Sequence, residues 1–185
     1  NVDVTPAAEL NVMLGSSRVM QPVFCTMARA SVSPCSVLIT GGVSTGKTLC
    51  SRLIHASSVD RQMPLHAIDC SVIREEELLS QLNEQALASV CEGLSGRLTL
   101  VFKEIGELSI VSQRRVHELF SDPAIASAVR LMATSSRRLG QEVDEGRFLR
   151  ELFLLLNDLR IDMPPLRHRK DDIVSLAAYY LGRLS

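Results

Sequence analysis

The eight residues Gly41-Gly42-Val43-Ser44-Thr45-Gly46-Lys47-Thr48 constrain this chain more than any other feature. They satisfy the spacing GxxxxGK[ST]. An apolar, β-like run, Ser36-Val37-Leu38-Ile39-Thr40, precedes them, and a helix-like stretch from Lys47 to Ser57 follows. In that setting the glycines let consecutive backbone N–H groups turn inward around an anion, and the helix N-terminus adds partial positive charge. Lys47 is then placed to reach the β and γ phosphates of a nucleotide, and the Thr48 hydroxyl to ligate Mg²⁺. Such a loop needs a strand before it and a helix after it, so the chain has to be an α/β protein.

The rest of the sequence repeats that alternation. Ser16-Ser17 is placed to cap a first helix, with Val19, Met20, Val23, Phe24 and Met27 at helical spacing. Strands are expected at 36–40, 65–69, 98–102, 129–133 and 159–163. Helices are expected at 47–57, 75–82, 110–120, 148–156 and 171–184, with Ser121-Asp122-Pro123 ending the third of these. Strands alternating with helices predict a mainly parallel five-stranded sheet covered on both faces.

Composition narrows the function classes. A chain of 185 residues suffices for one domain with a real core. Aromatics make up only 4% with no Trp, so aliphatic side chains must fill it. With a net charge of -1, bulk electrostatics do not argue for nucleic-acid binding by this chain. No apolar run approaches a membrane span and no charged-then-apolar leader opens the chain, so a cytoplasmic location without a membrane partner is expected. The start at Asn1 rather than Met suggests a processed chain or an excised fragment. Cys25, Cys35, Cys50, Cys70 and Cys91 have no CxxC spacing and read as small buried residues of a reduced compartment. His55, His66, His117 and His168 sit on different elements with no metal-ligand spacing.

From Leu14 onward the residues resemble the AAA+ domain of sigma-54-dependent bacterial transcription activators. Leu14-Gly15-Ser16-Ser17-Arg18-Val19-Met20 is similar to the family's opening IGxSxxM, and the loop at Gly41 to its GESGTGKE. Pro64–Cys70 resembles PFVAVNC, Lys103–Leu108 resembles DEIGEL, and Val129–Arg137 resembles VRVIAATNR. Glu145–Phe148 matches EGRF, and Pro164–Ile173 matches PPLRERxEDI. The resemblance runs collinearly from about residue 13 to the end. It implies a linker or N-terminal extension over 1–12, an AAA+ α/β core over 13–169 and the start of a lid helix over 170–185. It also implies ATP or ADP as cofactor, with Leu14 and Gly15 near the adenine and Arg169 near the nucleotide. The implied partners are other copies of the chain and RNA polymerase or another regulator, with DNA reached only through a domain outside this chain.

Four departures from the family pattern bear on activity. The acid that organises Mg²⁺ at the end of the third strand is Lys103, and only the neighbouring water-activating position, Glu104, is retained. An ammonium about 4 Å from Mg²⁺ repels it by several kcal/mol even at an effective dielectric near 20. Lys103 could instead pair with Glu104 or with a phosphate, replacing the metal. The family's two arginine fingers fall at Leu149 and Leu155, with Arg150 one place off the first; such a finger is worth roughly 10³–10⁵ in rate. The sensor Asn is Ser136. The GAFTGA loop is missing between Leu82 and Leu98, where Asn83–Arg97 is far shorter than the family's insertion. These changes imply a nucleotide-binding regulator without hydrolysis. The alternatives are a weak ATPase using Glu104 and Arg150, and a cyclic di-GMP-responsive regulator using Arg52, for which the accompanying motif before Leu14 is not recognisable. The apolar stretch Phe148–Leu156 suggests burial against a neighbouring subunit, hence assembly without ATP.

Overall fold

The computed structural model describes residues 12–82 and 96–184. Strands β1 (Val37–Thr40), β2 (Leu65–Asp69), β3 (Leu98–Lys103), β4 (Val129–Ser135) and β5 (Leu159–Asp162) form one sheet in the order β2-β3-β4-β1-β5. Every neighbouring pair is parallel. The helices are α1 (Gln21–Val32), α2 (Lys47–Ala56), α3 (Glu75–Gln81), α4 (Ile110–Ser121), α5 (Pro123–Ala128), α6 (Leu139–Asp144), α7 (Arg150–Leu156) and α8 (Ile173–Leu184).

Strand alternation sorts the core into two layers. Leu38, Leu100, Phe102 and Leu131 point to one face and pack with Leu119, Phe120, Leu152 and Leu156. Val37, Ile39, Val101 and Met132 point to the other and pack with Met20, Met27, Cys50 and Ile54. Both faces are therefore covered by helices, as a parallel sheet requires. The C-terminal strand ends, where ligands of open α/β sheets bind, carry the Gly41 loop and Glu104.

The structure corrects five local expectations. Ser16 and Ser17 do not cap a helix with their side chains; both are drawn to the Asp172 carboxylate, and a 3₁₀ turn, Arg18–Met20, leads into α1. Ser121-Asp122-Pro123 ends α4 but also starts α5: the Asp122 side chain accepts from Ala124 N–H and Pro123 occupies the first helical position. α6 was not expected at all, and α7 starts at Arg150 rather than Phe148. Nor does α7 await a neighbour for most of its apolar surface. Phe148, Leu152 and Leu156 are buried and Leu149, Phe153 and Leu155 pack on the same core, which leaves Leu154 exposed.

Of the cysteines, Cys50 and Cys70 are buried, whereas Cys25 is exposed and Cys35 half-buried. Burial pushes the Cys50 thiol up to about 12, which makes it inert. Cys91, residues 83–95 of the segment where the GAFTGA loop is expected to be missing, and residues 1–11 lie outside the described residues. No helix among the described residues is long and apolar enough to cross a membrane.

Candidate functional site

The loop between β1 and α2 takes its shape from three residues with positive φ: Gly41 at 152°, Ser44 at 60° and Gly46 at 98°. At Gly41 only hydrogen fits, because a Cβ would lie 2.8 Å from both the Cβ and the carbonyl oxygen of Met163. Thr45 closes the turn by donating from Oγ1 to the Gly42 carbonyl at 2.8 Å. Gly42, Val43 and Ser44 are exposed at the rim, and Thr48 is half-buried in the first turn of α2.

Lys47 is buried, and its Nζ donates to the carbonyls of Gly41 (2.8 Å) and Gly42 (3.0 Å). The same nitrogen lies 3.0 Å from Glu104 Oε1. Glu104 stands just past β3 in the left-handed region, at φ 51°, a conformation that costs a non-glycine residue about 1–3 kcal/mol and concentrates at functional sites. Its backbone N–H donates to Thr134 Oγ1 at 3.1 Å, and its Oε2 accepts from both Ser136 N–H and Ser136 Oγ, each at 2.7 Å. Burial alone would raise the Glu104 pKa. The Ser136 donors and the Lys47 ammonium outweigh it and hold the carboxyl below the usual carboxylate range.

Because the folded-state pKa is depressed, ionised Glu104 stabilises the fold fully above the unfolded value of about 4.3. That contribution disappears as pH falls through the lower folded-state value. Denaturant midpoints of the parent chain and Glu104→Gln are therefore expected to differ most near pH 6 and to converge towards pH 3. A gap that widens on acidification would contradict the assignment.

Lys103 lies on the other side of this arrangement. Along β3, Phe102 faces the first core layer and Val101 the second, so alternation brings Lys103 out with Val101 on the α2 face. It does not pair with Glu104, whose oxygens are taken by Lys47 and Ser136. Lys103 has no carboxylate partner among the described residues.

A cavity of about 380 Å³ opens on the far side of the loop, lined by Leu14, Thr45, Gly46, Leu49 and Arg169 together with one face of α8. Arg169 is buried, and its terminal nitrogen donates to the Thr45 carbonyl at 3.0 Å. Gly15 does not line the cavity; it packs behind the wall against Met20 and Asp172. The expected residues thus fall into two groups: Lys47, Glu104 and Ser136 at the strand ends, and Leu14, Thr45, Gly46 and Arg169 around the cavity. Sequence reasoning missed Asp172 and the tyrosine pair Tyr179–Tyr180, whose rings meet edge to face at 5.5 Å.

The profile of the sigma-54 interaction domain matches residues 14–166. The chain belongs to this family. The sigma-54 interaction domain here is 36% identical over 200 residues to the transcriptional regulatory protein ZraR of Klebsiella oxytoca, covering 98% of this chain and 45% of that protein. It is 32% identical over 187 residues to the DNA-binding transcriptional regulator NtrC of Salmonella typhimurium, covering 91% and 40%. The chain thus spans less than half the length of these relatives.

Its fold resembles that of NtrX from Brucella abortus in complex with ATP, with a TM-score of 0.81 at 24% identity over 95% of this chain and 44% of that one. The complex of the same protein with ADP gives 0.83 at 22% identity, over 95% and 43%. The P-loop NTPase domain of an E. coli sigma-54 activator gives 0.61 at 18%, over 83% and 99%. The fold is therefore that of a P-loop AAA+ core.

Leu149 and Leu155, which the resemblance places at the arginine-finger positions, are half-buried against the core. Leu149 also fixes the start of α7 by donating its backbone N–H to Gln113 Oε1 at 2.7 Å. Arg150 is exposed at that helix start. Arg52 is half-buried on α2 and lines neither the 380 Å³ cavity nor a second one of about 640 Å³ between the loop and α6. Among the described residues no group of three His, Cys, Asp or Glu side chains could hold a metal ion.

Proposed function

We propose that this chain is the nucleotide-binding regulatory domain of a bacterial transcription regulator, holding ATP or ADP without hydrolysing it. The observation that carries the reading is the distribution of charge at the strand ends. An ammonium, Lys103, emerges on the face of the phosphate-loop helix, while the carboxylate that follows it, Glu104, is already committed to Lys47 and Ser136. Phosphate oxygens fit such a site; Mg²⁺ does not, because Thr48 would face it with a cation in place of the usual acid. We infer that Lys103 supplies, from the protein itself, part of the positive charge that the metal supplies elsewhere.

Hydrolysis lacks its other parts too. A carboxylate with a depressed pKa is a weak general base, and the finger positions hold leucines turned into the chain's own core. The neighbours crystallised with ATP and with ADP support retention of nucleotide binding. An alignment of 200 positions that takes in 98% of a 185-residue chain contains positions where this chain has no residue. That supports the loss of a segment such as the GAFTGA loop, and with it a partner other than sigma-54 polymerase engaged in the usual way.

On this reading residues 13–169 are the core, 170–185 begin the lid, and bound nucleotide sets the assembly of a homo-oligomer in the cytoplasm. DNA is contacted by a domain outside this chain. Steady-state phosphate release tests the absence of turnover. The parent chain is expected to release phosphate no faster than Glu104→Ala; clear excess release would instead establish the weak ATPase.

A further inference from the structure

The two walls of the 380 Å³ cavity come from opposite ends of the described chain. Val12, Met13 and Leu14 form one; Leu166 and the Ile173–Tyr180 face of α8 form the other. No strand pairing joins these walls among the described residues. A single buried carboxylate does. Asp172 Oδ1 accepts the backbone N–H groups of Ser16 (2.7 Å) and Ser17 (2.9 Å), and Oδ2 accepts the Ser17 hydroxyl at 2.7 Å.

Two consecutive N–H groups thus converge on one oxygen of the protein's own side chain. Gly15 makes room for it: a Cβ there would sit 3.0 Å from Met20 Cγ and 3.3 Å from Asp172 Oδ2. Three residues earlier, Arg169 ties the same wall to the phosphate loop through the Thr45 carbonyl, and its buried Nε has no partner.

We propose that Asp172 is a positioning residue for the nucleoside half of the ligand: its clasp on Ser16 and Ser17 sets the width of the slot that receives the base. The proposal rests on the nucleotide reading above. On this proposal phosphates are held by the loop and by Lys47, which the clasp does not touch, and the base and ribose enter the cavity between the clasped walls, which Ser44, Thr45 and Gly46 of the same loop also line. A buried carboxylate that accepts four bonds, the long one from the Ser16 hydroxyl at 3.4 Å included, is costly to remove, because each abandoned N–H or O–H is left without a partner.

The test compares calorimetric titrations with ATP and with inorganic tripolyphosphate on the whole chain. Asp172→Ala is expected to weaken ATP by about tenfold or more while changing tripolyphosphate by less than about twofold. Asp172→Asn keeps Oδ1 for both backbone donors and can offer its amide to Ser17 Oγ, so it is expected to recover most of the ATP affinity. Should Asp172→Ala fail to fold, Ser17→Ala removes one of the four bonds and is expected to weaken ATP alone by about threefold. Equal losses for both ligands, or no loss in ATP affinity, overturn the clasp. Failure of the unaltered chain to bind either ligand overturns the nucleotide reading itself, and the clasp with it.

Discussion

Lys47→Ala is expected to weaken ATP binding by at least about a hundredfold, close to 2.7 kcal/mol. The side chain is buried at the mouth of the loop, and on the proposed reading its ammonium meets the incoming phosphates. Charge-assisted hydrogen bonds contribute about 1.5–3 kcal/mol each, and a β,γ-bridging lysine makes two. Part of that gain is spent in advance. Before nucleotide arrives, Nζ is satisfied by the Gly41 and Gly42 carbonyls and by Glu104, so binding exchanges these contacts for phosphate rather than adding to them. The expected loss is therefore nearer one such bond than two. Calorimetric titration reads it directly; an affinity within about threefold of the parent would mean that the loop does not hold phosphate through this lysine.

The largest stability effect is expected at Phe102. Its ring is fully buried on β3 and meets Phe120 edge to face, with centroids 6.3 Å apart and planes at 86°. Truncating a buried Phe to Ala costs about 3–5 kcal/mol from lost transfer energy and the remaining cavity, and the aromatic contact adds about 0.5–1.5 kcal/mol beyond burial. This chain has five Phe and no Trp, so few large side chains can move in to fill the gap. Against a usual total of about 5–15 kcal/mol, Phe102→Ala should leave a marginal domain. Urea unfolding at constant m-value measures it; a loss under about 1 kcal/mol would mean that the neighbouring leucines close the cavity. Phe102 immediately precedes Lys103 and Glu104, so the same truncation should loosen the site that β3 carries.

The fold was legible because its signals are periodic and local. β2 lies at the expected 65–69, and β1, β3, β4 and β5 differ from expectation by one or two residues at their ends. Apolar runs bounded by turn residues are what a sheet buried on both faces needs. The misses have local causes as well. Asp122-Pro123 is both a stop and a start, and only the stop was read; α6 has six residues, too few to show a helical period.

At the site, residue types were readable and their partners were not. The strand, loop and helix around Gly41, and Lys103 and Glu104 at the end of β3, follow from position along the chain. That Lys47 turns back onto Glu104 depends on the C-terminal ends of β1 and β3 lying on the same side of the sheet with β4 between them. Likewise Ser16-Ser17 matches a helix-cap pattern in one dimension. The buried carboxylate that wins those donors comes from the far end of the chain, which no local rule anticipates.

The central claim, nucleotide held by protein charge in place of a metal, is tested most directly by titrating the domain with ATP in the presence and absence of Mg²⁺. The account predicts binding in both conditions, with an affinity that Mg²⁺ leaves unchanged or lowers. Binding strengthened about tenfold or more by Mg²⁺, roughly 1.4 kcal/mol, would contradict it and restore Lys103 to the status of a bystander beside a working metal site.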